Sequence, residues 1–348
     1  MPNTLQSPPQ QVQNGVSDDL LITAHAAILA GRHFNQQASN LAKQGYMGAY
    51  PSSLGQEACQ VAAALALEPA DWLFPTYRDS VAVMSRGIDL TEVLSPFHGS
   101  SHCGYAPTKT HTAPEATPLA THTAHAVGLA MAAKFAGDST VALAMCGDGS
   151  TSEGDFHEAL NLAAVFEAPV VFLVQNNGYA ISTPVSRQMR AASIAAKGEG
   201  YGMPAYRVDA NDFEQVYPRL HEAVERARAG GGPTLIEAMT YRMGPHTTSD
   251  NPDRYRSREE VEQWRGRDPL TRIQHQMYQR LPNAKTHIEN AILAAEKIAS
   301  EARTSMMQLQ MPDPQDLFAH VYANPPATLS AVAEEYAQQH AAQNGENA

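Results

Sequence analysis

Residues 141–154 read VALAMCGDGSTSEG, and this stretch decides the fold. An apolar run ends abruptly in one carboxylate, Asp148, set between Gly147 and Gly149. That spot is poor for a core residue and good for holding something polar. The next residues, 155–166, carry the apolar spacing of a helix, and 169–175, PVVFLVQ, form a second continuous apolar strand. Continuous apolar strands separated by helices predict a parallel sheet buried on both faces. The alternation extends outward in both directions. An Ala-rich helix over 121–135 and a strand over 140–145 come first; a helix over 213–229 and the strand TLIEAMTY at 234–241 follow. The predicted fold class is α/β, three layers with a mostly parallel sheet flanked by helices. Ligands of such sheets sit beyond the carboxyl ends of the strands. Asp148, the pair Asn176–Asn177 and His246 all fall at such ends.

Before this unit, helices are predicted over 19–44 and 56–67, joined by a loop at 45–55. DWLFPTYRDS at 71–80 reads as a turn, and a short helix is predicted at 89–94. The segment 96–118 is rich in His, Thr, Pro and Gly and reads as irregular. Helices over 283–304 and 328–342 complete the chain. The domain organisation is thus a disordered polar tail at 1–18, a main domain at 19–280 and a helical extension at 281–348.

The formal charge of −12 is expected to repel nucleic acid and anionic membrane surfaces. No run of about 18 apolar residues occurs, so no membrane span is predicted. The three scattered cysteines, Cys59, Cys103 and Cys146, suit a reducing, cytoplasmic setting. The tail has neither the cationic start of a signal peptide nor the arginines of a transit peptide.

Asp148 and Asn177 lie 29 positions apart with one complete helix between their strands. Adjacent parallel strands would bring a carboxylate and an amide oxygen to one site, a hard-oxygen pair suited to Mg²⁺ or Ca²⁺. Flanking glycines allow close backbone approach, and the following helix offers its positive end to an anion. A magnesium-bridged diphosphate fits that description. The competing reading is a plain helix cap at Asp148 and Ser150 beside an Asn turn.

GDGSTSEGDFHEALNLAAVFEAPVVFLVQNNGYAIST resembles the E1 alpha subunits of 2-oxo acid dehydrogenase complexes, which depend on thiamine diphosphate. The resemblance continues through FPTYRD, TPLATHTAHAVG, YGMPAYRVDANDF, PTLIEAMTYRMGPHTTSDNPDRYRS and EEVEQWRGRDPL. It implies a thiamine diphosphate-binding fold in which Asp148, Asn177 and the carbonyl of Tyr179 hold Mg²⁺. Gly149 and Ser150 would meet the diphosphate through their backbone, and Tyr77 and Arg78 would reach its phosphates. Thr117 and Leu119 would line the cofactor, with Leu119 propping its bent form. Gln175 stands where animal relatives place an arginine, so that phosphate contact is neutral or lost. His246 matches the active-site histidine, a proton donor because imidazole titrates near neutrality. His98 and His102 are candidates for the entrance.

The resemblance further implies oxidative decarboxylation of a 2-oxo acid with acyl transfer to a lipoylated E2 acyltransferase. It implies an E1 beta subunit, in an α2β2 heterotetramer, to carry the glutamate that activates the cofactor. YGMPAYRVDANDF and the segment ending in NPDRYRS favour a branched-chain substrate, 3-methyl-2-oxobutanoate, over pyruvate. Acetoin dehydrogenase and a non-catalytic assembly subunit are the remaining alternatives.

Overall fold

The structure is a computed structural model that describes residues 15–100, 102–310, 313, 315–319 and 321–346. The expected tail lies mostly outside the described residues. Its described end is packed: Val16 is buried, and its carbonyl accepts from Arg280 Nη2 at 2.8 Å. Ser17 then caps the first helix by accepting from the Leu20 N–H at 3.2 Å.

In chain order the principal elements are α1 Asp18–Lys43, α2 Glu57–Leu65, β1 Trp72–Phe74, α3 Thr121–Ala136 and β2 Ala142–Gly147. Next come α4 Gly154–Phe166, β3 Val170–Asn176 and a small antiparallel hairpin of β4 Tyr179–Ala180 and β5 Thr183–Pro184. The chain continues through β6 Ala205–Asp209, α5 Phe213–Arg228, β7 Thr234–Met239, α6 Pro269–Arg280, α7 Ala284–Gln308 and α8 Ala327–Glu346. Five strands form one sheet in the order β1-β2-β3-β7-β6, and every pairing in it is parallel.

The reason β2 and β3 read as unbroken apolar runs is now plain. Leu143, Met145, Val171 and Leu173 point into one core with α1, α2 and α5. Ala142, Ala144, Phe172 and Val174 point into a second core with α3 and α4. Side chains alternate across a strand, so a sheet covered on both faces needs apolar residues at every position. Burying each large one contributes roughly 1.5–3 kcal/mol.

Two strands of the parallel sheet, and the hairpin β4–β5, differ from the sequence expectation. Residues 72–74, read within a turn, are the edge strand β1, in register with Ala142–Ala144. Residues 205–209 form the opposite edge, β6, where only partial burial leaves a mixed polar and apolar pattern. Arg258–Arg265 and α6 are helices that the periodicity did not announce. At the C-terminus, α8 runs to Glu346, beyond the predicted 342.

Candidate active site

Four parallel strands deliver their carboxyl ends to one rim, and a cavity of about 860 Å³ opens there. Tyr77, Arg78, Thr117, Leu119, Asp148, Gly149, Ser150, Gln175, Asn177, Tyr179 and His246 all line it. His98 and His102 do not; Phe97 is the member of that segment that reaches the wall.

The tips of β2 and β3 are adjacent, with Gly147 opposite Gln175. Beyond them Asp148 is 2% exposed, and burial raises its carboxyl above the usual range. Three donors oppose that rise: Gln188 Nε2, which reaches Oδ2 at 2.9 Å, and the backbone N–H groups of Asp148 and Asn177. The Asn177 backbone therefore lies against the Asp148 carboxylate. Asn177 is fixed at both ends of its amide: Nδ2 donates to Gln56 Oε1 at 3.1 Å and Oδ1 accepts from Tyr179 N–H at 3.3 Å. The first asparagine has a different task. Asn176 Nδ2 donates to Glu237 Oε1 at 2.8 Å, and its Oδ1 accepts from Gly178 N–H. Gly178, at φ +93°, makes the left-handed turn that sends Tyr179 back over the cavity. Gly149 is needed for another reason: a Cβ there would lie 2.7 Å from Ala180 Cβ, too close for the hairpin to pass.

Gln175 is turned inward. Its Nε2 donates to Asp79 Oδ1 at 2.7 Å, and its Oε1 accepts from Gln56 and Gln60 at 3.0 and 3.2 Å. Asp79 also accepts the Thr76 N–H at 2.8 Å and so holds the turn that presents Tyr77 and Arg78. The Tyr77 N–H donates to the Ala116 carbonyl, which ties this turn to the loop carrying Thr117 and Leu119.

Arg78 donates through Nη1 to the Ser52 carbonyl and through Nη2 to His246 Nδ1, both at 2.9 Å. Since Arg78 can only donate, His246 Nδ1 is the acceptor and the ring proton belongs to Nε2. Burial, then Arg78 and Arg242, pushes the His246 imidazole down to about 4. The sequence-based expectation of titration near neutrality is thereby corrected: His246 is neutral at physiological pH. Its loop is held by Arg256, which donates to the carbonyls of Arg242, Met243 and Gly244. Asp250 Oδ2 accepts the His246 N–H at 2.8 Å. Arg242, 1% exposed, donates to the Ile181 carbonyl and Tyr255, while its Nε and Nη1 are buried without a partner. Arg242 lies behind the lining residues, close enough for its charge to act on Asp148 and His246.

Sequence reasoning missed Gln56, Asp79, Gln188, Glu237, Arg242 and Arg256. Glu237 had a signal, being a lone acid inside the apolar strand TLIEAM, where burial requires a partner. Asp79, Arg242 and Arg256 fall inside motifs that carry the family resemblance, but their own spacing marks no role.

Next to Asp79 sits Glu115, whose Oε1 is enclosed and unpartnered. Burial and the charge of Asp79, against Ser80, push its carboxyl up to about 8. Because the folded state favours the protonated form, its full contribution is present below the unfolded value near 4.5 and is lost as pH rises through 8. Glu115→Gln is therefore expected to stabilise the chain by on the order of 1–3 kcal/mol at pH 8 and by almost nothing at pH 4. Urea unfolding at the two pH values measures this, and an equal effect at both would contradict it.

The family described as Dehydrogenase E1 component matches residues 26–315. The alpha subunit of 3-methyl-2-oxobutanoate dehydrogenase from Mycobacterium tuberculosis is 45% identical over 318 residues, which is 91% of this chain and 87% of that protein. The E1 alpha subunit of pyruvate dehydrogenase from Staphylococcus aureus is 37% identical over 87% of this chain and 85% of its own length. That of Acholeplasma laidlawii is 39% identical over 76% of this chain and 77% of its own. The chain belongs to the dehydrogenase E1 component family. Within it, the chain is an E1 alpha subunit of a 2-oxo acid dehydrogenase complex, an oxidoreductase of a thiamine diphosphate-dependent family. An E1 alpha subunit works with a beta subunit and an E2 component.

Proposed function

We propose that this chain is the alpha subunit of a branched-chain 2-oxo acid dehydrogenase, acting in the cytoplasm on 3-methyl-2-oxobutanoate. The observation that carries the cofactor part of this reading is the meeting of Asp148 and Asn177 at two adjacent strand tips. The 45% identity to a 3-methyl-2-oxobutanoate dehydrogenase subunit, against 37–39% to pyruvate dehydrogenase subunits, supports the substrate. Pyruvate is the second reading, supported by those same relatives.

The residues fit thiamine diphosphate with Mg²⁺. Asp148, the Asn177 Oδ1 and the Tyr179 carbonyl are hard oxygen ligands suited to the ion. Gly149, Ser150, Tyr77 and Arg78 would face the diphosphate, and the charge of Arg242 acts on Asp148 from behind them. Gln175 lines the cavity and spends one Nε2 hydrogen on Asp79, so as a neutral side chain it would offer the phosphates at most one hydrogen bond. Thiamine diphosphate supplies the carbanion nucleophile and electron sink of the decarboxylation. The protein binds, orients and manages protons. His246 holds its proton at Nε2 as a neutral imidazole, so it donates a hydrogen bond without bringing a charge beside Arg78. Leu119, 41% exposed, and Thr117 stand on the open side of the cavity.

That open side, and an apolar surface on α3 and α4, support a beta partner in an α2β2 assembly that passes the acyl group to the lipoyl arm of E2. Phe135 and Val165 are 70% and 68% exposed, with Leu162 and Phe166 beside them. Such a patch is costly to leave in water.

Thermal denaturation tests the cofactor. Thiamine diphosphate with Mg²⁺, at about 100 times its dissociation constant, is expected to add roughly 2.7 kcal/mol and so raise the midpoint by several degrees. ATP and NAD should not. A response to either nucleotide and none to thiamine diphosphate would overturn the reading. Rates with pyruvate and 3-methyl-2-oxobutanoate, measured with the beta subunit present, decide the substrate.

A further inference from the structure

We infer that Gln188 is a positioning residue for the cation at Asp148, fixing the rotation of the metal-binding carboxylate from outside its ligand set. The inference rests on the cofactor reading above. Gln188 ends the single helical turn Val185–Gln188 that follows β5, and its side chain lines the cavity. Its Nε2 donates twice, to Asp148 Oδ2 at 2.9 Å and to the Thr183 carbonyl at 3.0 Å. Both amide hydrogens are therefore used. The Thr183 bond anchors the amide to the hairpin, and the Asp148 bond carries that anchorage to the carboxylate.

The other end of the amide is incomplete. Gln188 Oε1 is buried with no donor from the protein. A buried acceptor without a partner implies one that the chain does not supply, such as a water on a bound ion. An amide that locks one carboxylate oxygen and offers an acceptor in the same wall is how outer hydrogen-bond partners tune a metal site. The arrangement also explains why Gln188, rather than Lys or Arg, suits the position: a cation there would compete with the ion for Asp148.

The test uses the full chain with its beta subunit, as wild type, Gln188→Met and Gln188→Ala. The methionine variant keeps the length of the side chain and removes its hydrogen bonds. Thiamine diphosphate binding is followed calorimetrically at increasing Mg²⁺, and the midpoint of thermal unfolding is recorded without metal. Half-saturation by Mg²⁺ is expected to rise about 10- to 100-fold in both variants. Cofactor affinity at saturating Mg²⁺ and the metal-free midpoint should stay close to wild type. An unchanged Mg²⁺ requirement in the variants overturns the proposal. So does a loss that tracks a lowered metal-free midpoint, because that is the signature of a structural tie alone. A wild-type protein whose binding ignores Mg²⁺ overturns the cofactor reading itself, and this proposal with it.

Discussion

Asp148→Asn is expected to abolish activity while leaving the chain folded. Loss of an outer partner of a metal site costs about 10–100-fold, so removing the charged ligand itself should cost more, on the order of 10³-fold in activity. Asp148 is the carboxylate of the expected ligand set, and Asn177 and the Tyr179 carbonyl are neutral. The fold should survive because the side chains are nearly the same size and Gln188 can still donate to an amide oxygen. Stability without metal should even increase. Burial raises the Asp148 carboxyl, so the folded state favours its neutral form. That contribution is complete below the unfolded value near 3.8 and is lost as pH rises. The variant escapes the loss, and its advantage should grow from acid to neutral pH. Added Mg²⁺ and thiamine diphosphate should reverse the order, stabilising only the wild type. Steady-state rates with the beta subunit present, together with thermal midpoints with and without cofactor, measure both halves. Wild-type activity in the variant would remove the carboxylate from the mechanism.

How much of this site the sequence carries depends on the range of the interaction. Asp148 and Asn177 were legible because parallel strands place consecutive tips side by side, and the helix between them fixes the spacing. The middle of the sheet was legible for a related reason: β2, β3 and β7 are buried on both faces and write mostly apolar runs, interrupted in β7 by Glu237. The edges were not. β1 has only three residues, and the half-exposed β6 alternates irregularly, so neither reaches the pattern of a buried strand. Supporting residues were less legible still. Arg256 clamps carbonyls 12–14 positions away, and Gln175 is claimed by Asp79 across 96 positions. The protonation of His246 follows from the same limit. Its imidazole is lowered by burial and by Arg78, a neighbour 168 positions distant that local pattern cannot reveal.

Pure chain without a beta subunit is expected to show no measurable decarboxylation, although it retains some affinity for thiamine diphosphate. The carboxylates on the cavity wall are Asp148 and Glu153. Asp148 is engaged by Gln188 and is the carboxylate of the proposed cation site. Glu153 stands between the turn Asp148–Ser152 and the start of α4, on the same rim as Gly149 and Ser150. A glutamate that activates the proposed cofactor would have to come from beyond this rim, because the described residues contain one parallel sheet and it presents its carboxyl ends on one side only. Loss of a positioned acid or base typically costs 10²–10⁴-fold, and an open cavity adds free access of water to the reacting centre. Carbon dioxide release from labelled 2-oxo acid, with and without the beta subunit, reads the difference directly. Turnover by the pure chain that disappears in Glu153→Gln would show instead that this chain carries its own activating carboxylate.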